Sequence, residues 1–336
     1  MNGPSASNPY AWEENRQKST APANDEYFFW LSVSKMMHEA IFATGGLLLA
    51  LLLYLVLTKA KKSMKNYKQM LLVCCLADIQ YLIISHFVQL IIKTQQSVEL
   101  CVMGGMARNF SYNGQVVVMA VYAAAFGITM TSLPVNYYYR FLCAAGNPPS
   151  SKKAFFMYMI GYVAVVPLAA LAWLSFQYGG IGRPGFNFGS LWFKTSPLPK
   201  ILIVDFRSPF TKVMLTYLAN CVAGCYLLSL YWARRTVKLM GLHGQSMVMS
   251  KIHRQVALAL LAQAILPIFV SVGPNAVLIS AIVFEMDPGV LAMMMFNFIA
   301  LIPLLNSLST ILIFRAFRQT LTQALQRVAK EISSVI

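Results

Sequence analysis

The chain has 336 residues, of which 58% are hydrophobic and 11% charged, with a formal net charge of +16. A soluble domain carries about 25% charged residues, so this balance excludes an ordinary soluble globule and points to apolar runs long enough to cross a bilayer. The basic excess does not imply nucleic acid, because the lysines and arginines lie in short loops between apolar segments rather than on one soluble face.

Residues 1–32 open with a polar stretch that lacks the apolar core of a secretory signal, so they are expected to form an extracellular N-terminal segment. Seven apolar spans follow: Val33–Leu57, Met70–Ile92, Tyr112–Tyr138, Ala154–Phe176, Thr211–Trp232, Val256–Phe284 and Gly289–Phe314. In lipid only helices or closed barrels satisfy the backbone, and the strand alternation of a barrel is absent. The expected fold is therefore an all-α membrane protein, a seven-transmembrane helix bundle over residues 33–314. Residues 315–336 form a tail whose Phe317, Leu321, Leu325 and Val328 are spaced for an amphipathic helix on the inner leaflet.

Charge sets the orientation. The connection 58–69 carries Lys59, Lys61, Lys62, Lys65 and Lys68, and the connection 233–255 carries Arg234, Arg235, Lys238, Lys251 and Arg254. Arg140, Lys152 and Lys153 lie on the same side, as do Arg315, Arg318, Arg327 and Lys330 of the tail, against one acid, Glu331. The positive side faces the cytoplasm, which places the N-terminus outside and the C-terminus inside. The sequon Asn109-Phe110-Ser111 then falls outside, and Asn109 is a candidate glycosylation site. Four of the six cysteines lie within apolar spans, and no disulfide framework is legible.

Several residues stand out against this background. Asp78 is a carboxylate inside the second span, and such groups are costly unless paired. Asn306 lies at a similar depth in the last span, so the two form either a switch or a packing pair. Pro134, Pro167, Pro267, Pro274 and Pro303 each remove a helix hydrogen bond. Pro267 and Pro274 make the sixth span a candidate hinge. On the third span, Gln115, Met119, Tyr122 and Phe126 share one helical face. With His86 and Gln89 at the outer end of the second, they are candidates to line an outer small-molecule cavity. The alternative for each is ordinary packing. Ala120, Ala124 and Gly127, on another face, suit close helix contact. Arg140 ends the third span with no acid nearby in sequence, so it is expected to meet tyrosine hydroxyls, lipid phosphates or a partner's acidic groups. The histidines show no metal-ligand spacing, and no nucleotide-binding or hydrolase motif is present. No metal, cofactor or enzymatic activity is expected.

The order of these features resembles the nematode serpentine chemoreceptors of the Str superfamily, class d (Srd), within the G-protein-coupled-receptor-like proteins. The residues that carry the likeness begin with TKAKKSMKNYKQMLL before Asp78 and with Phe87-Val88-Gln89. They continue with Tyr137–Phe141, with Gln263, Leu266 and Pro267, and with Phe314-Arg315. The resemblance implies a receptor for small environmental molecules in the plasma membrane of sensory neuron cilia, coupled to a heterotrimeric G protein. Arg140, Arg234, Arg235 and Arg254 would form the coupling surface. Two departures from rhodopsin-like receptors follow: Tyr139-Arg140-Phe141 replaces the acid-Arg-Tyr lock, and Asn306-Ser307 replaces Asn-Pro. Cys101 stands where such receptors place a disulfide to the second outer loop, yet residues 177–208 contain no cysteine. The alternative to a receptor is a seven-span ligand-gated channel or transporter. An insect-type odorant channel would put its N-terminus inside, against the charge count.

Overall fold

The computed structural model describes residues 25–58, 65–95, 98–178, 200–242 and 289–326 apart from a few single positions, together with parts of 265–286. Five long helices come first: α1 (Asp25–Thr58), α2 (Lys65–Val88), α3 (Tyr112–Ala144), α4 (Ser151–Tyr178) and α5 (Pro209–Leu242). All five are long and apolar enough to cross a membrane. The last span is two helices, α6 (Val290–Ala300) and α7 (Ile302–Ile313), which meet at a 42° bend. Most of the expected sixth span, including Pro267 and Pro274, lies outside the described residues; Ile268–Val272 within it is a π-helical turn.

Of the prolines within described helices, Pro134 and Pro167 sit inside unbroken α3 and α4, whereas Pro303 stands at the break. Proline has no N–H to donate, and just before it Leu301 donates to the Phe298 carbonyl at 3.1 Å in a tightened turn. The bend therefore follows from the loss of one rung of the ladder.

α3 is the packing hub. Ser111 caps its first turn by accepting from the Gly114 N–H at 3.2 Å, which satisfies one of the orphan donors of a helix start. At its far end Gly146 adopts φ +79°, the left-handed conformation that glycine tolerates best, and the chain turns away. At 33 residues the helix is about 50 Å long, well beyond a ~30 Å hydrocarbon layer. Gly127 faces α4 so closely that a β-carbon there would meet Leu168 at 3.0 Å and Val165 at 3.1 Å. Without a hydrophobic drive between helices in lipid, such small-residue contacts let dispersion hold the bundle. Ser175 and Thr211 join α4 to α5 through a buried hydroxyl pair at 2.9 Å.

One boundary is corrected: the second helix ends at Val88 rather than Ile92. The helical bundle also carries a small sheet, in which β1 (Leu90–Gln95), β2 (Val98–Met103) and β3 (Leu202–Asp205) are antiparallel in the order β1-β2-β3. β2 pairs with β1 from Leu90↔Met103 to Gln95↔Val98, and with β3 from Val98↔Asp205 to Cys101↔Leu202. Leu90, Ile92, Cys101, Met103, Leu202 and Val204 pack down onto the bundle core. The physical reason for the correction is that the chain leaves α2 through Gln89 at φ +44°, which ends the helix and starts the strand. Gly105 then crosses over that helix end, where a β-carbon would lie 2.3 Å from the Phe87 carbonyl oxygen. All six cysteines are free. Cys101 instead faces Leu202 across the ladder, so backbone hydrogen bonds join the two loops.

On β2, burial pushes the Glu99 carboxyl up to about 7, opposed by the Cys101 thiol that donates to it at 3.8 Å. The folded chain thus holds this proton more tightly than the unfolded chain. Its contribution to stability is full below about 4.5 and is lost as pH rises to about 7. Glu99→Gln is expected to raise the unfolding midpoint relative to wild type at pH 8 and to leave it unchanged near pH 4.5, measured by thermal unfolding of purified protein.

Candidate functional site

Three polar clusters interrupt the apolar interior, and α3 or α2 contributes to each. The first lies under the sheet. Gln115, Met119 and Tyr122 are all buried along one face of α3. The Gln115 amide donates to the Arg108 carbonyl at 3.0 Å, and its own oxygen Oε1 has no partner among the described residues. The Tyr122 and Tyr81 hydroxyls meet at 3.2 Å, and the Tyr122 ring lies 6.1 Å from that of Phe296 on α6. The structure thus brings α2, α3, α6 and all three strands around this face.

His86 and Gln89 do not join it. They turn toward α1, where the Gln89 amide donates to Glu39 Oε1 at 2.7 Å. His86 Nδ1 lies 4.0 Å from Glu39 Oε2, and its ring stacks on Phe42 at 3.8 Å. Glu39 was not singled out from the sequence. A carboxylate about 28 Å up the helix from Thr58, at 1.5 Å per residue, was the signal that could have found it.

The second cluster lies deeper. Asn306 on α7 donates to both carboxylate oxygens of Asp78 on α2, at 3.2 and 3.3 Å. Ser309 and Thr310 hydroxyls both donate to the Asn306 backbone carbonyl, at 2.9 and 2.8 Å. Asn306 Oδ1 and the buried Ser307 hydroxyl have no partner among the described residues. One amide nitrogen bridging both oxygens of a buried carboxyl group ties the second and last spans together.

The third cluster surrounds Arg140 at the far end of α3. It is fully buried, 1% exposed. Its Nε lies 3.2 Å from Met70 Sδ, and Tyr67, Tyr137, Tyr158 and Cys74 lie within electrostatic range. The expected tyrosines are there, but Arg140 is not presented at the surface. Burial by the Tyr67 and Met70 turn of α2 on one side and by α4 on the other accounts for the difference. Arg234 and Arg235 on α5 are exposed, and Arg235 donates to the Tyr231 hydroxyl at 3.2 Å. Arg254 and Pro267 lie outside the described residues. Asn109 is exposed at the end of a short 3-10 turn, and the hydroxyl of its sequon partner Ser111 is engaged as the α3 cap. Among the described residues no group of three metal-ligating side chains exists.

The described residues hold five membrane-length helices and one bent pair, tied together by polar contacts. The crystal structure of squid rhodopsin is similar at a TM-score of 0.61 and 13% identity, over 94% of this chain and 93% of that one. At that identity the likeness is one of fold. A model of the family described as serpentine type 7TM GPCR chemoreceptor Srd matches residues 34–323, and the chain belongs to that family. Comparison with curated proteins finds no match.

Removing the Asn306 amide would leave a buried carboxylate underbonded, a loss of about 1–3 kcal/mol. Asn306→Ala is expected to lower the unfolding midpoint in a lipid disc, and Asp78→Asn added to it to recover part of the loss. A double-mutant cycle measures the coupling, and additive effects would show that the pair is not energetically linked.

Proposed function

We propose that this membrane receptor binds a small environmental molecule at its sheet-bearing end and signals to a heterotrimeric G protein at the other. The observation that supports this reading most directly is the placement of polar clusters along α3. Gln115 and Tyr122 lie beneath the sheet, and Arg140 lies near the other end of the helix, buried among Tyr67, Tyr137 and Tyr158. The bundle is multi-pass, and the positive-inside count puts the Arg140 end in the cytoplasm. The plasma membrane of sensory cilia is the location that the family suggests.

In the state described here the socket is closed. Tyr137 and the half-buried Trp232 and Ala233 of α5 pack together beside Arg140. A ligand favours another state only by binding it better. In the proposed active state the inner end of the sixth span moves away and uncovers Arg140. Arg140 then joins Arg234, Arg235 and Arg254 in a basic mouth for the C-terminal carboxylate of a Gα helix. The Asp78–Asn306 tie is the contact that rearranges, with Pro267 as the hinge. Gln115, Met119 and Tyr122 recognise the ligand, and His86 and Gln89, turned toward Glu39 on α1, lie outside that face. Asn109 carries a glycan.

The channel or transporter alternative gains no specific support. A ligand panel applied to cells with a promiscuous G-protein reporter tests the proposal. At least one small molecule is expected to raise the signal, and Arg140→Ala is expected to cut the maximal response about tenfold or more at equal surface level, as loss of a buried charged contact does. An Arg140→Ala receptor that signals normally would remove the role assigned to that residue.

A further inference from the structure

The cluster between α1 and α2 carries chemistry that the α3 face does not. Glu39 is the acceptor at its centre. Its side chain is 53% exposed, and among the described residues no lysine or arginine comes within ion-pair distance of it, Lys35 one turn away included. Two groups are spent on orienting it. Gln89 donates one amide hydrogen to Glu39 Oε1 at 2.7 Å, and the same nitrogen lies 3.5 Å from His86 Nδ1.

Gln89 is costly at this place. Its φ of +44° is a left-handed conformation that disfavours a side chain by roughly 1–2 kcal/mol, and glycine is the usual residue at such a helix end. A glutamine retained there implies a use for its amide, since strained backbone gathers at binding sites.

The Gln89 amide nitrogen can only donate, so the His86 nitrogen that faces it at 3.5 Å accepts when the ring is neutral. His86 Nδ1 and Glu39 Oε2 lie 4.0 Å apart, an ion pair when the ring is protonated and two acceptors that one donor can bridge when it is neutral. A nitrogen about 2.9 Å from each, the usual N–H···O distance, would see them at an angle of about 87°, which two N–H bonds of an ammonium can span. The Phe42 ring, stacked on His86 at 3.8 Å, forms an apolar wall beside it. One residue before Glu39, His38 is buried and its Nε2 has no hydrogen-bond partner among the described residues.

We propose that Glu39, His86 and Gln89 form a recognition site for a protonated primary amine, with Phe42 as its aromatic wall. The inference rests on the reading of the chain as a receptor whose ligands enter at the sheet-bearing end, and it names a ligand class for that end. The ammonium can belong to a soluble amine or to the ethanolamine headgroup of a lipid reaching the groove between α1 and α2.

Binding to the full chain in lipid discs, without any G protein, tests the proposal separately from signalling. Discs of phosphatidylglycerol at pH 7.5 give an amine-free background. n-Butylamine is expected to raise the unfolding midpoint saturably, while 1-butanol and butyrate do not. Glu39→Gln keeps the shape and is expected to weaken butylamine at least tenfold, as loss of a charged acceptor does. Gln89→Gly relieves the left-handed backbone, so the ligand-free midpoint stays or rises while amine affinity falls. In discs doped with phosphatidylethanolamine, a midpoint rise that Glu39→Gln abolishes assigns the site to the headgroup. The proposal is overturned if neither butylamine nor phosphatidylethanolamine shifts the wild type, or if Glu39→Gln responds as the wild type does. A chain that activates a G protein with a neutral odorant yet binds no amine would sink this inference and leave the receptor reading standing.

Discussion

A backbone in lipid must find all its hydrogen-bond partners within the chain, because hydrocarbon offers none. That requirement makes the long apolar segments helices, and it also governs how the chain behaves where it leaves them. After α2 the chain does not trail into a loop. It passes through one left-handed residue, Gln89, into a three-stranded ladder. The ladder returns the freed donors and acceptors to one another and lays Leu90, Ile92, Cys101 and Leu202 on the helices beneath. The connection between the two loops thus comes from paired strands at Cys101↔Leu202 and not from a disulfide.

The same requirement explains why the interior polar groups come in clusters. A lone buried polar side chain is expensive. Asp78 is therefore met by Asn306 with two contacts, Tyr81 by Tyr122, and Arg140 by a ring of tyrosines and the Met70 sulfur. Each pair ties two helices together and becomes a contact that a shift of one helix must break. A receptor needs such discrete, breakable contacts, since packed interiors change between arrangements rather than deform smoothly. α3 contributes Tyr122 to one of these contacts and Arg140 to another.

Much of this was legible in the residues. The apolar runs located the described spans to within a few residues, apart from longer ends such as α5 reaching Leu242. Equal depth brought Asp78 and Asn306 together. Helical spacing put Gln115, Met119 and Tyr122 on one face, and Gly127 at a close helix contact. The sheet was not legible, because LIIKTQ, VELCVM and LIVD are short and lack alternation that distinguishes a strand from a helix end. That miss had a consequence. A second helix drawn on to Ile92 keeps Gln89 on the helix, whereas a stop at Val88 and a left-handed Gln89 send its amide to Glu39. Counting acids along the chain left Arg140 to tyrosines, lipid phosphates or a partner, but no count reveals that α2 and α4 bury it.

The central claim is a seven-span receptor with its sheet outside and its basic face inside. Epitope tags at the two termini of the full chain, stained in intact and then permeabilised cells, test it most directly. The account predicts that the N-terminal tag is stained in intact cells and the C-terminal tag only after permeabilisation. An N-terminal tag that needs permeabilisation would contradict it and favour the channel architecture.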